Sequence, residues 1–182
     1  MDELRVYRDI QMRTGGEIYI GVVGPVRTGK STFIKRFMEL VVIPEMTDDN
    51  EKVRTIDELP QSADGKTIMT TEPKFIPKEA AVIHFSNQET GKIRLIDCVG
   101  YLVPEAVGAI EEEKERMVKT PWSEEEIPFS KAAEIGTSKV IREHSNLGLI
   151  ITTDGSFGDI PAVNFEEALQ KTVMECEKAG KP

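Results

Sequence analysis

The sequence contains few of the residues that mark secreted, metal-rich or nucleic-acid-coating proteins. Its 182 residues include two cysteines, two histidines and one tryptophan. Cys98 and Cys176 have neither the pairing of a disulfide framework nor the spacing of a zinc site, which favours a reduced, cytoplasmic setting. Basic residues are also in deficit, with 23 lysines and arginines against 32 acidic residues and a net charge of -9. This balance argues against DNA or RNA as a partner.

Long apolar runs are missing as well. Residues 1–16 carry charges throughout and have no apolar stretch of the kind that a signal peptide needs. Apolar residues at roughly helical spacing predict a short amphipathic helix there, ended by Gly15 and Gly16. No stretch approaches the roughly 18 consecutive apolar residues of a transmembrane segment. We therefore expect a soluble protein without a membrane span, which leaves open a partner at a membrane surface.

The remaining chain, 17–182, predicts one α/β domain whose sheet is mainly parallel and includes one antiparallel hairpin. Because the chain stops where another strand is expected, we expect this domain to be incomplete at its C-terminus. A polar loop at 45–79 is a candidate switch region, and 101–129 is an acidic insertion. The regular elements are predicted as strands at 17–24, 80–86, 92–98 and 147–152, and as helices at 30–43, 132–144 and 165–179.

The strongest motif is GPVRTGKS, which fits the phosphate-binding pattern G-x-x-x-x-G-K-[ST] at every fixed position. Backbone amides of such a loop surround phosphates, and the following helix adds the positive end of its dipole. Lys30 is expected to reach the β- and γ-phosphates, and the Ser31 hydroxyl to ligate Mg²⁺. The expected nucleotide-binding residues of this stretch are Gly24, Pro25, Val26, Arg27, Thr28, Gly29, Lys30, Ser31 and Thr32.

A second motif, Asp97-Cys98-Val99-Gly100, stands at the end of the strand predicted at 92–98. An aspartate leaving a strand in a P-loop protein is expected to hold Mg²⁺ through a water, and Gly100 to offer its amide to the γ-phosphate. In the loop between the two motifs, Thr70 and Thr71 are candidates to sense the γ-phosphate by completing the Mg²⁺ shell, and Thr67 is a weaker one. Because side chains alternate along an extended segment, only one of Thr70 and Thr71 can readily face the metal, and the residues do not decide which.

Tyr101 follows the second motif, where many GTPases carry a glutamine or histidine that orients the attacking water. A tyrosine lacks the groups for that task, so we expect slow hydrolysis. Trp122 is expected to pack the insertion onto the body of the domain, with anchoring of a partner as the alternative.

Several long stretches resemble the stage IV sporulation protein A family of morphogenetic ATPases, which is related to translation-factor GTPases. The resemblance rests on TGGEIYIGVVGPVRTGKSTFIKRFMELVV, DELPQSADGKTIMTTEPKF, IRLIDCVGY and AAEIGTSKVIREHSNLGLIITTDGSFGDI. Carried over by position, it implies that Lys30 and Asp97 are the Walker A and Walker B residues and that Thr70 and Thr71 are the sensor threonines.

The same resemblance implies hydrolysis of ATP, coupled to irreversible self-assembly of the basement layer of a spore coat. It further implies a location in the mother cell at the outer forespore membrane. The implied partners are a small amphipathic membrane-bound peptide and other coat proteins. From the residues alone two alternatives stay open: a GTP-binding regulatory switch, and a structural coat protein that binds nucleotide without turnover. A nucleotide kinase is disfavoured by the predicted hairpin.

Overall fold

A four-stranded sheet carries the site, in a computed structural model that describes residues 12, 14–60, 71–84, 90–103, 110–111, 114–156 and 160–182. In chain order the strands are β1 (Glu17–Val23), β2 (Lys74–His84), β3 (Thr90–Asp97), β4 (Ile110–Glu111), β5 (Lys114–Glu115), β6 (Met117–Val118), β7 (Ile127–Pro128) and β8 (Leu147–Ile150). The main sheet has the order β2-β3-β1-β8. Strand β1 pairs in parallel with β3 and β8, while β2 and β3 are antiparallel. This confirms the predicted α/β sheet with one antiparallel pair.

Helices cover both faces of the main sheet: α1 (Lys30–Phe37), α2 (Asp49–Glu58), α3 (Phe129–Lys139) and α4 (Glu166–Lys178). Alternation along β1 sends Val22 to one face and Val23 to the other. Val22 packs with Ile34 of α1, and Val23 belongs to a second cluster that contains Cys176 of α4. The result is the predicted three-layer arrangement, with the phosphate loop at the carboxyl end of β1.

The first helix differs from the prediction at its end. We expected Pro44 to end a helix at Ile43, but a wider helical turn, Met38–Val42, follows α1 and leads into a further turn, Ile43–Glu45. The Ile43 amide donates to the Met38 carbonyl, five residues back. Proline has no amide hydrogen and its ring excludes the carbonyl four residues earlier, so the preceding turn widens and the helical path continues.

The segment predicted as a switch loop, 45–79, contains regular structure. Helix α2 begins after Asp48, whose carboxylate accepts hydrogen bonds from the amides of Asn50 and Glu51. This cap stabilises the start of a helix that is mostly exposed. Because the helix has few apolar residues, the sequence shows no apolar periodicity that would predict it. Strand β2 also begins earlier than expected, at Lys74, because this edge strand accommodates Pro77 next to an irregularity in its pairing.

In the acidic insertion the structure has short antiparallel ribbons, β4 with β5 and β6 with β7. Helix α3 then begins at Phe129, three residues before the predicted start, and a wider turn, Val140–His144, continues it. The predicted N-terminal helix and the turn predicted between β2 and β3 lie largely outside the described residues.

Candidate nucleotide-binding site

The phosphate loop is shaped by hydrogen bonds from its own side chains. The Pro25 carbonyl accepts from Thr28 Oγ1 at 2.9 Å and from Lys30 Nζ at 2.6 Å. Arg27 is exposed and has φ 62°, a left-handed conformation that side chains other than glycine rarely adopt and that is found preferentially at functional sites. Gly29 has φ 87°, and a Cβ there would meet no atom of the described residues within 4 Å. Its conformation, rather than crowding, therefore requires glycine.

Lys30 begins α1 but is only 5% exposed. Burial lowers the pKa of its ammonium group, because removal from water disfavours the charged form. The nearby Asp97 acts in the opposite direction. Among the described residues, only the Pro25 carbonyl accepts a hydrogen bond from this buried ammonium group, which is therefore well suited to receive a polyanion.

Asp97 reaches this loop because β1 and β3 are parallel and end side by side. The register places Asp97 beside Val22, one residue before the end of β1. The Ser31 hydroxyl donates to Asp97 Oδ2 at 2.6 Å, so two of the predicted metal residues are in direct contact. Burial raises the pKa of Asp97, and the Ser31 hydrogen bond and the Lys30 charge oppose that rise.

The second oxygen of Asp97 identifies what this centre could bind. Asp97 Oδ1 is buried and has no hydrogen-bond partner among the described residues. Burying a carboxylate oxygen without a partner is costly, and a cation would relieve that cost. Within the described parts of the chain, no group of three or more His, Cys, Asp or Glu residues could enclose a metal ion. One carboxylate and one hydroxyl fit Mg²⁺, which binds through few protein ligands together with water and phosphate oxygens.

Gly100 lies against the phosphate loop. A Cβ at this position would be 2.0 Å from the Gly24 carbonyl oxygen and 2.8 Å from Lys30 Nζ, and the backbone has φ 90°. Only glycine fits this conformation and this approach. The next residue fastens the segment, because the Val26 amide donates to the Tyr101 carbonyl at 2.9 Å. Sequence reasoning missed this backbone link, for which the residue pattern gave no indication.

The side chain of Tyr101 packs into an apolar cluster with Val26, Val103, Phe165 and Ala168, and the residue is 8% exposed. Burial, reinforced by the acidic Glu175, raises the pKa of its phenol to about 12. The tyrosine is therefore a neutral core residue.

The neighbouring Cys98 is also a core residue. Burial raises the pKa of its thiol to about 11, which keeps the unreactive protonated form at neutral pH. Thr32 is exposed in the first turn of α1.

The structure brings Lys30, Ser31, Asp97 and Gly100 together, and it places Thr71 against α3. Thr71 is 5% exposed, and its carbonyl oxygen lies 2.5 Å from where a Cβ on Gly136 would stand. Thr67 and Thr70 fall outside the described residues. Trp122 also packs near Gly136 of α3, as expected for a residue that fastens the insertion to the body.

None of the helices in the described residues has the length and apolar character needed to cross a membrane.

Comparisons with known proteins identify the family. The family model described as "Stage IV sporulation protein A, ATPase domain" matches residues 1–182. The chain is 57% identical over all 182 residues to "Stage IV sporulation protein A" of Bacillus subtilis (strain 168) and equally so to that of Bacillus anthracis, covering 37% of each. The protein of that name from Clostridioides difficile (strain 630) is 51% identical over 177 residues, which are 97% of this chain and 36% of that protein.

The chain thus spans little more than a third of the length of these curated relatives. A search of the solved structures finds no match. The family model covers every residue of the chain, including the phosphate loop, Asp97 and Gly100. The chain therefore belongs to the ATPase-domain family of stage IV sporulation protein A.

Proposed function

We propose that this chain binds Mg·ATP and hydrolyses it slowly. The observation that carries the proposal is the convergence of Lys30, Ser31 and Asp97, with one buried carboxylate oxygen of Asp97 lacking a partner among the described residues. These groups supply a cation and a hydroxyl ligand from the phosphate-binding loop and an unsatisfied acceptor from the end of β3 beside it. The ATPase-domain family supports ATP as the substrate.

Each residue of this centre has a distinct role in the proposal. Lys30 exchanges the Pro25 carbonyl for oxygens of the β- and γ-phosphates, and the amides of the loop and of the first turn of α1 surround the same phosphates. Ser31 and Asp97 hold Mg²⁺, Asp97 through a water, and the ion supplies charge neutralisation when bound. Gly100, pressed against the loop, presents its amide toward the γ-phosphate.

One of Thr70 and Thr71 senses the γ-phosphate, and the absence of a suitable side chain at position 101 makes turnover slow. Tyr101 is buried in an apolar cluster and stays protonated, so it neither accepts a proton nor orients water. P-loop hydrolysis without such assistance runs at about 10⁻⁴ to 10⁻² per second. A rate in that range is what we expect here.

The purpose of hydrolysis is proposed from the family resemblance alone. In a protein of the relatives' full length, ATP cleavage drives self-assembly of the basement layer of the spore coat, in the mother cell at the outer surface of the forespore membrane. A small amphipathic membrane-bound peptide recruits the protein, and other coat proteins bind to the layer. The name of the relatives, stage IV sporulation protein A, supports a role in sporulation.

Single-turnover release of phosphate from γ-labelled ATP, followed over hours with and without Mg²⁺, tests the proposed activity. Competition by unlabelled ATP and GTP tests the base. We expect Mg²⁺-dependent release that ATP suppresses more strongly than GTP. A strong GTP preference would favour a regulatory switch, whereas no product over many hours would favour a nucleotide-binding structural protein.

Variants test the roles of the carboxylate and of the sensor threonines. Asp97→Ala, or Thr70→Ala combined with Thr71→Ala, should retain most nucleotide binding and lower turnover on the order of 10²-fold, because these groups act chiefly on the γ-phosphate and its metal. Retained turnover in both variants would overturn the residue assignment.

A further inference from the structure

The backbone of Thr71 contacts α3 at Gly136. An ideal Cβ on Gly136 would lie 2.5 Å from the Thr71 carbonyl oxygen, 3.7 Å from the Thr71 carbonyl carbon and 3.9 Å from Trp122 Cη2. We propose that Gly136 and Trp122 form a seat for Thr71 and thereby position the sensor threonine for hydrolysis. The inference rests on the proposed function, because it concerns a residue of that site.

Helix formation does not account for glycine at position 136. The residue is buried inside α3, where alanine is the better helix former and glycine costs conformational entropy. What glycine allows is close approach, since real Cβ atoms essentially never come within 3.0 Å of another heavy atom. A methyl group would have to displace the Thr71 backbone or α3 by roughly 0.5 to 0.9 Å, the shortfall from the 3.0 to 3.4 Å of tight contacts.

Trp122, a residue of the acidic insertion, forms the second side of this seat. Its ring lies near Gly136, and Lys139 Nζ, one helical turn along α3, is 6.0 Å from the ring centroid. The Trp122 Nε1–H is buried without a hydrogen-bond partner among the described residues. The ring is therefore held by packing and by the lysine, and the indole N–H contributes little.

The position of the seat explains why it would matter for turnover. Thr71 comes three residues before β2 and is the sensor candidate that the structure describes. Helix α3 follows the insertion that begins after Gly100. The seat thus fixes Thr71 to α3, the helix that follows the Asp97-to-Gly100 motif after the insertion. A shift of 0.5 to 0.9 Å would misplace a hydroxyl that must meet the metal and the γ-phosphate.

The test is Gly136→Ala in the 182-residue chain. We expect kcat to fall at least about ten-fold with KM changed less than about two-fold, because a misplaced γ-phosphate contact affects turnover more than binding. Gly148→Ala is the matched control, since the same methyl group there meets nothing closer than Cys176 Sγ at 3.4 Å. Its kcat should equal that of the wild type. Wild-type kcat in Gly136→Ala would overturn the proposal.

A double-mutant cycle separates positioning from general damage to the fold. If Gly136 acts through Thr71, adding Gly136→Ala to Thr71→Ala should lower kcat no further. Multiplying losses would contradict the proposal. Trp122→Phe should keep nearly wild-type kcat, because the ring remains and the indole N–H has no partner among the described residues, whereas Trp122→Ala should lower it.

Fluorescence gives a readout that does not depend on hydrolysis. Trp122 is the only tryptophan of the sequence, so its emission reports on the seat. Gly136→Ala should shift that emission without nucleotide present, and Gly148→Ala should not. If the wild type cleaves no ATP but the shift occurs, the proposed function fails and the contact stands. If the wild type cleaves ATP and Gly136→Ala shifts neither kcat nor emission, the seat fails.

Discussion

The centre around Lys30 and the cluster around Tyr101 meet along one short stretch of chain but bury different groups. Lys30 and Asp97 are polar residues taken out of water with few partners, and an oxygen of Asp97 has none among the described residues. Tyr101 lies four residues after Asp97 and packs against apolar side chains such as Phe165. Apolar packing around Tyr101 stabilises the fold and holds Gly100 against the phosphate loop. The polar centre instead retains a buried Asp97 oxygen without a partner among the described residues, which the proposed Mg·ATP could use.

The largest effect is expected from the polar side of this comparison. Lys30→Ala should lower the affinity for a non-hydrolysable ATP analogue at least about 100-fold, roughly 2.7 kcal/mol. The substitution removes the ammonium group that lies inside the phosphate loop at the Pro25 carbonyl and that is proposed to bind the phosphates. Calorimetric titration measures this directly. Lys35→Ala, on the same helix but in its last turn, is the control and should bind like the wild type. Equal affinity of both variants would contradict the assigned role.

Gly100 joins the two regions, and its replacement should have the next largest effect. Gly100→Ala combines φ 90° with a contact of 2.0 Å to the Gly24 carbonyl, so we expect destabilisation of about 2 to 4 kcal/mol in urea unfolding. Gly180→Ala is the matched control. Its φ is 62° and its Cβ would meet no atom of the described residues within 4 Å, so a destabilisation of about 1 kcal/mol is expected. Equal losses would mean that close approach to the loop is unimportant.

The smallest effect is expected at Tyr101. Its folded-state pKa of about 12 lies above the ordinary value of 10.0, so the tyrosine contributes stability that is complete below pH 10 and is lost as the pH rises through 12. Tyr101→Phe cannot ionise. Its free energy of unfolding should therefore exceed that of the wild type by about 1 kcal/mol at the upper end of this pH range, after allowance for partial screening. Urea unfolding at a series of alkaline pH values measures it.

The same variant also tests catalysis. At neutral pH, turnover by Tyr101→Phe should match the wild type, because the phenol is protonated and packed in the core. A ten-fold loss of turnover would show that the hydroxyl takes part in hydrolysis.

The parts of the fold that could be predicted depend on local patterns. An apolar run followed by a glycine loop and a helix led correctly to β1 and α1, and the apolar run before Asp97 led to β3. The hydrogen bond between Ser31 and Asp97 was not predicted and is a finding of the structure. Helix α2 was missed because its evidence is a cap at Asp48 rather than an apolar stripe. Pro44 was given too much weight, since a widened turn absorbs it.

The sequence by itself determined the phosphate loop, the aspartate that faces it and the family, because these are encoded in consecutive residues whose spacing has few physical meanings. Only the tertiary structure decided that Tyr101 is core, that its backbone fastens the loop at Val26, and that Thr71 rests on Gly136 beside Trp122. Those contacts join segments that are distant in the chain. Their geometry follows from how helices pack on a twisted sheet, which no local pattern of residues specifies.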